Sequence, residues 1–340
     1  MQRKIYLASF IALLAVGMTA CKKSSSNNTT QADYNTELTH QSDDHSQVTN
    51  GMDAVDNDIN AQIEGSALGR VMGSANIMTL PCDASVTFDT VSAGAHTMTI
   101  HFNGAVCGGS SLRREGTIVV SIPAGTHWRD SGAVITETIQ APGLKLTKVS
   151  DSSEHILVNG NRTVRNASGG LVENLFANSP HHRTSITHLV NATNMSITFK
   201  DGTQRTWNAS RKRVFTNPTN AAYIPPVPPA LAPPPPFVMT ISGNHSDGSN
   251  TDIAEWGVNR EGHPFTTSIT HPLVFKGTCN WRLGEGQITH HGLAATVVVT
   301  YGLDASGYAA SCPGPTGLYY FKAVWTGSNG STYTMIHPYY

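Results

Sequence analysis

Strict alternation of apolar and polar residues is the pattern that most limits what this chain can fold into. In Thr97-Met98-Thr99-Ile100-His101-Phe102, Met98, Ile100 and Phe102 share one face, while Thr97, Thr99 and His101 share the other. A period of two marks a half-buried strand. Ser196-Ile197-Thr198-Phe199 repeats the pattern and runs into Lys200-Asp201-Gly202-Thr203. Asp-Gly there supplies the positive φ that a tight hairpin turn requires. The returning strand is predicted over 204–215, carrying Trp207. Further strands are predicted at 84–90, 117–122, 133–140, 155–164, 237–242, 286–289, 296–301, 318–326 and 332–336. Beyond the N-terminal leader no segment repeats at helical spacing for three turns; only Val55, Ile59 and Ile63 suggest a short helix within 53–64. The predicted class is therefore all-β, with antiparallel meander or sandwich-like sheets and no substantial helix after the leader.

The first twenty residues read as a lipoprotein signal peptide. Gln2-Arg3-Lys4 is basic, and Ile5 to Val16 is apolar but shorter than the roughly 20 residues a bilayer span needs. Gly17-Met18-Thr19-Ala20 then leads into Cys21, resembling a lipobox with Met18 where Leu is commoner. Cys21 is the predicted lipidation site, so the partner expected first is a membrane, reached through that lipid. Residues 21–52 are polar and are expected to form a flexible tether, holding the folded part about 30 Å from the bilayer.

Five cysteines are present. With Cys21 lipidated, Cys82, Cys107, Cys279 and Cys312 are left in an oxidising compartment, a number that suits two disulfides. Of the three connectivities, Cys82–Cys107 and Cys279–Cys312 are favoured, because each pair flanks a local strand-turn-strand stretch. The alternative is four buried, inert thiols.

Organisation is expected as an N-terminal β unit over 53–223, a Pro-rich linker or insertion over 224–236, and a C-terminal β unit over 237–340. Proline cannot donate to a ladder, so the linker reads as polyproline II, serving as a spacer or long exposed loop, with a docking segment for a partner as the alternative. Gly160-Asn161 recurs as Gly243-Asn244, and Ser185-Ile186-Thr187-His188 recurs as Ser268-Ile269-Thr270-His271, both 83 residues on. The equal offsets suggest a duplicated β unit.

Charged residues make up 13% of the chain and net charge is −1, so no basic field exists for nucleic acid. No Gly-x-Ser-x-Gly, His-Glu-x-x-His, Cys-x-x-Cys or Gly-x-Gly-x-x-Gly phrase occurs. Asp56-x-Asp58-x-Asn60 opens like a calcium loop, but Ala61 and Ala67 replace its required Gly and Glu. It reads as a solvated helix start. Fifteen histidines include the pairs His181-His182 and His290-His291. Neighbours on a strand point to opposite faces, so neither pair chelates from a strand. His188 and His271 read as surface residues or loop anchors. Trp128, Trp207, Trp256, Trp281 and Trp325 read as half-buried pins between sheet faces, with a sugar platform as the alternative. No metal site, cofactor or catalytic residue is assigned.

Taken together, several phrases resemble a family of β-rich envelope lipoproteins of Bacteroidota, described only as hypothetical. They are Pro81-Cys82-Asp83-Ala84-Ser85-Val86-Thr87-Phe88-Asp89, Gly160-Asn161-Arg162-Thr163-Val164, Ile197-Thr198-Phe199-Lys200-Asp201-Gly202-Thr203 with Thr206-Trp207-Asn208, and Pro272-Leu273-Val274 with Cys279-Asn280-Trp281. The resemblance covers roughly residues 80 to 340, with the Pro-rich stretch as a departure. It implies fold and an outer-membrane location but no activity. Lys22-Lys23-Ser24 stands where acidic residues accompany surface display, so surface and periplasmic face both stay open. The resulting expectation is a lipid-anchored, non-catalytic protein for binding, adhesion or scaffolding, with an envelope protein or glycan as partner. The alternatives are a secreted hydrolase whose site is assembled from distant strands, and a glycan- or metal-binding module.

Overall fold

A computed structural model describes residues 31–66, 82–89, 95–107, 112–149, 151–223, 236–279, 281–310, 312, 317–327 and 329–339. Cys21 and nearly all of the Pro-rich segment lie outside these residues, so the expectations for them are not addressed by the fold.

The chain opens with helix α1 (Gln31–Gly65) and continues in strands. The first eight are β1 (Ala84–Asp89), β2 (Ala95–Asn103), β3 (Leu112–Pro123), β4 (Val134–Ile139), β5 (Leu144–Lys148), β6 (His155–Asn159), β7 (Asn161–Asn166) and β8 (Ser185–Phe199). There follow β9 (Gln204–Thr216), β10 (Val238–Gly243), β11 (Ile253–Val258), β12 (Pro264–Lys276), β13 (Arg282–His291), β14 (Val297–Leu303), β15 (Tyr320–Thr326) and β16 (Thr332–Pro338). All sixteen belong to one antiparallel sheet, and the all-β meander class holds.

The sheet is simpler than its strand count suggests. β3 pairs with β5 through Leu112–Glu115 and with β4 through Ile118–Ser121, so β4 and β5 act as one interrupted strand. β6 and β7 likewise share β8, and β10 and β11 share β12. What remains is an up-and-down path of thirteen strands, each beside its chain neighbour. Asp201-Gly202 makes the expected hairpin between β8 and β9, whose pairing runs from Ser185↔Thr216 to Thr198↔Gln204. β11 was not legible as a strand, because Ile-Ala-Glu-Trp-Gly-Val carries a buried Glu255 and a glycine instead of a clean alternation. Gly257 is there for close approach: a Cβ would sit 1.9 Å from the Thr206 carbonyl oxygen on β9.

The largest correction concerns α1. Residues 31–52, expected as part of a tether, are the first two-thirds of a 35-residue helix, and the short helix expected over 53–64 is its end. Between Gln41 and Asp56 only Asp43 and Ala54 are not buried. A helix buried all round is ordinarily apolar; this one is polar, and its partners come from the sheet. Asn35 meets Trp325 on β15, Asp43 meets Lys148 on β5, and Arg114 on β3 reaches Asp58. The sheet thus curls around the helix. Val48, Met52, Val55, Ile59 and Ile63 form an apolar stripe in one core with strands β2 to β9. Leu38 belongs to a second core built on β8 to β10 and the C-terminal strands. At Gly51 a Cβ would lie 2.5 Å from Leu146 Cδ1, so the missing side chain lets helix and β5 close up.

The repeated phrases sit alike in the strand order, since Gly160-Asn161 joins β6 to β7 beside β8 and Gly243-Asn244 stands at the end of β10, which with β11 lies beside β12, but they differ in register. Two residues before Gly160, Val158 pairs with Ile197, whereas two residues before Gly243, Ile241 pairs with Leu273. Those partners stand at different distances from Ser185 and Ser268, so the equal sequence offset does not carry into the register.

Candidate functional site

The distinctive site is a charged core between α1 and the inner face of the sheet. On β9 the alternate residues Arg205, Trp207, Ala209, Arg211, Arg213 and Phe215 are all buried. Their period of two puts three guanidinium groups in line along the helix. On α1, His45, Thr49, Asp53, Asp56, Asn60 and Glu64 recur every three or four residues and form a polar stripe beside the apolar one.

The two rows interlock. Arg213 Nη2 donates to Asp53 Oδ1 at 2.5 Å and also contacts Asp56. Arg211 Nη1 donates to Asp53 at 3.2 Å, its Nη2 donates to Thr49 Oγ1 at 3.1 Å, and it contacts Glu255. Thr49 Oγ1 in turn donates a hydrogen bond to Glu255 Oε1 at 2.9 Å. Arg205 donates to Glu255 Oε2 at 3.2 Å and stacks over Phe265 at 4.3 Å. From β7, Arg162 bridges Asp56 and Glu137 of β4. Four arginines, 162, 205, 211 and 213, therefore face four carboxylates, 53, 56, 137 and 255. Partners inside the core are needed, because a buried charge left alone costs several kcal/mol.

Proton affinities follow these surroundings. Burial pushes the Glu255 carboxyl up, but His45, Arg211 and Arg205 outweigh it and hold it below the usual range. Burial lowers His45, so its ring is neutral and donates Nδ1–H to Glu255 at 2.9 Å. Burial drives Glu137 up to about 8, with Arg213 opposing. It takes His188 down to about 3, helped by Arg213. Glu64 is pushed up to about 7 by burial, against hydrogen bonds from the Val172 N–H at 2.8 Å and Asn60 Nδ2 at 3.0 Å.

At the other end of the helix, Arg260 donates to Asp44 at 2.9 Å and stacks over Phe199 at 4.0 Å. Burial raises Asp44 to about 6 despite that contact. His263 Nδ1 and Asn259 both reach Glu37, each at 2.7 Å.

Both expected disulfides form: Cys82–Cys107 with Cα atoms 5.5 Å apart and Cys279–Cys312 at 5.3 Å. His290 is buried against Thr267 while its neighbour His291 is not buried, so the pair splits across the strand as expected. His181 and His182 are exposed. His188 corrects the surface reading: it is buried between Trp128 and Phe215, whereas its sequence counterpart His271 is exposed beside Gln287. The Asp56-x-Asp58-x-Asn60 phrase is not a solvated helix start either. It lies in the last turns of α1, with Asp56 on Arg162 and Arg213, Asp58 on Arg114, and Asn60 accepting from Trp128 Nε1 at 3.1 Å. Trp128 and Trp207 are fully buried rather than half-buried. Among the described residues, no group of three His, Cys, Asp or Glu is placed to hold a metal.

Sequence reasoning missed the ion network, although two signals were present: the helical recurrence of polar residues from His45 to Glu64, and arginines of one parity along 205–213. Comparison with known protein families, with curated proteins and with solved structures finds no match.

Proposed function

We propose that this protein is a lipid-anchored component of the cell envelope, held to the outer membrane through Cys21, whose β-sheet body serves binding, adhesion or scaffolding. The carrying observation is how the core carboxylates are used. Asp53, Asp56, Glu137 and Glu255 are each at most 3% exposed and engaged with arginines that grip α1. A general acid or base must reach a substrate proton within hydrogen-bonding distance; these groups instead face their structural partners. Recognition would then fall to the outer face and rim of the sheet, with an envelope protein or a glycan as partner.

Two disulfides support an oxidising compartment. The resemblance to Bacteroidota envelope lipoproteins points the same way. Gln31, the first described residue of α1, stands ten positions after Cys21. Ten residues span at most about 35 Å, so the body would stand beside the membrane instead of trailing from a long tether.

Expressed with its own leader in a bacterium that processes lipoproteins, the protein should partition into detergent and incorporate labelled fatty acid. Cys21→Ser should release it while leaving the fold intact by circular dichroism. Unchanged membrane association of that variant would refute the anchor. Hydrolytic turnover abolished by a single Glu137 or His188 substitution would refute the non-catalytic role.

A further inference from the structure

A small cavity sits against the charged core where four elements meet: Asp56, Asn57 and Asn60 from α1, Glu137 from β4, His188 from β8 and Arg213 from β9. The remaining lining is apolar, from Ile59, Trp128, Ile135, Val164 and Phe215. Four polar atoms on these walls are buried without a hydrogen-bond partner: Asn57 Nδ2, Glu137 Oε1, His188 Nε2 and Arg213 Nε. Glu137, His188 and Arg213 are each at least 97% buried, so bulk water does not serve them. An unmet buried polar atom costs roughly 1–3 kcal/mol, and clustering several around one space calls for a common partner.

Size and charge decide what that partner is. The cavity has room for about one water molecule, which excludes sugars, nucleotides and most metabolites. Asp56 repels an anion, while Arg213 and the nearby Arg162 repel a cation. A neutral molecule with both donor and acceptor capacity satisfies the mixed set.

We infer that this cavity is an internal hydration site, holding one ordered water that bridges Glu137, His188 and Asn57. The water ties α1 to β4 and β8 at the point where the arginine row of β9 ends, and so completes the network around the helix. Its oxygen accepts from Asn57 Nδ2 or Arg213 Nε, and its protons go to whichever of Glu137 Oε1 and His188 Nε2 accepts. A buried water with about three such bonds is a normal part of a folded interior.

The test uses the intact protein at neutral pH. A crystal structure that orders internal waters should show a peak within hydrogen-bonding distance of His188 Nε2 and of Glu137 Oε1 or Asn57 Nδ2. In solution, a long-lived water should transfer magnetisation to the ring protons of His188 and Trp128. An empty cavity in a well-ordered map, or no transfer to either ring, would overturn the assignment. His188→Phe, which fills the space and removes the nitrogen, should abolish both signals; an undiminished peak in that variant would equally overturn it. If His188→Phe fails to fold, the two wild-type measurements decide alone.

Discussion

Glu255 and Glu64 are both buried, yet their proton affinities shift in opposite directions, because only Glu255 has neighbours strong enough to outweigh burial. Glu255 touches Arg205 and Arg211 and is held below its usual range. Its contribution to stability is present above the ordinary carboxylate range and is lost as pH falls. Glu64 has hydrogen bonds from Asn60 and the Val172 backbone, and burial raises it to about 7. A raised carboxyl works the other way: its stability is fully present below the unfolded value of 4.5 and is lost as pH rises through about 7. Gln at this position keeps the accepting oxygen and removes the charge. Glu64→Gln should therefore be more stable than the parent at pH 8, by on the order of 3 kcal/mol, and nearly equal to it at pH 4. Urea midpoints at the two pH values measure this. An equal effect at both would mean that the ionisation of Glu64 is not what matters.

Helix α1 is held in shape by its surroundings more than by its own sequence. It includes Thr, Asn, Asp, Ser and His residues, which are mediocre helix formers, and a glycine at position 51. Helix nucleation is unfavourable, and most helical stability in proteins comes from packing. A peptide spanning 31–65 should accordingly be largely unfolded in water by circular dichroism. In the intact protein, amide exchange of residues 44–56 should be among the slowest, because those turns are enclosed and open only when the sheet opens. A helical peptide in isolation, or fast exchange across 44–56, would contradict this account. The reading of 21–52 as a tether went astray at the same point. Few large apolar side chains ordinarily mean that a segment cannot offset its ordering entropy; here arginines from β7 and β9, Glu255 of β11 and Arg260 beyond it supply the compensation instead.

At the scale of the whole molecule, α1 reaches both ends of the strand path. Asp58 meets Arg114 on β3, Arg114 reaches Asp83 beside β1, and Asn35 meets Trp325 on β15. The two apolar cores are joined by the helix and by β8 and β9, which supply residues to both. The molecule should therefore unfold as one cooperative unit despite its length. Fluorescence from chains retaining only Trp207, in the first core, or only Trp325, in the second, should give the same urea midpoint. Two well-separated midpoints would mean that the N- and C-terminal β units unfold independently.

What the sequence determined by itself was local. Alternation announced β2 and the last residues of β8, because a strand with one buried face needs only its own residues to show a period of two. Asp201-Gly202 announced the hairpin that returns as β9, and the cysteines announced their pairing, because each disulfide closes a short excursion of 25 or 33 residues. Tertiary structure alone decided whether the polar N-terminal segment is solvated or enclosed. That outcome rests on contacts such as Asp53 with Arg213, 160 residues apart, and His45 with Glu255, 210 apart. A buried charge is tolerable only when its partner arrives with it. The helix, the arginine row and the charged core therefore exist only once the sheet has curled around them.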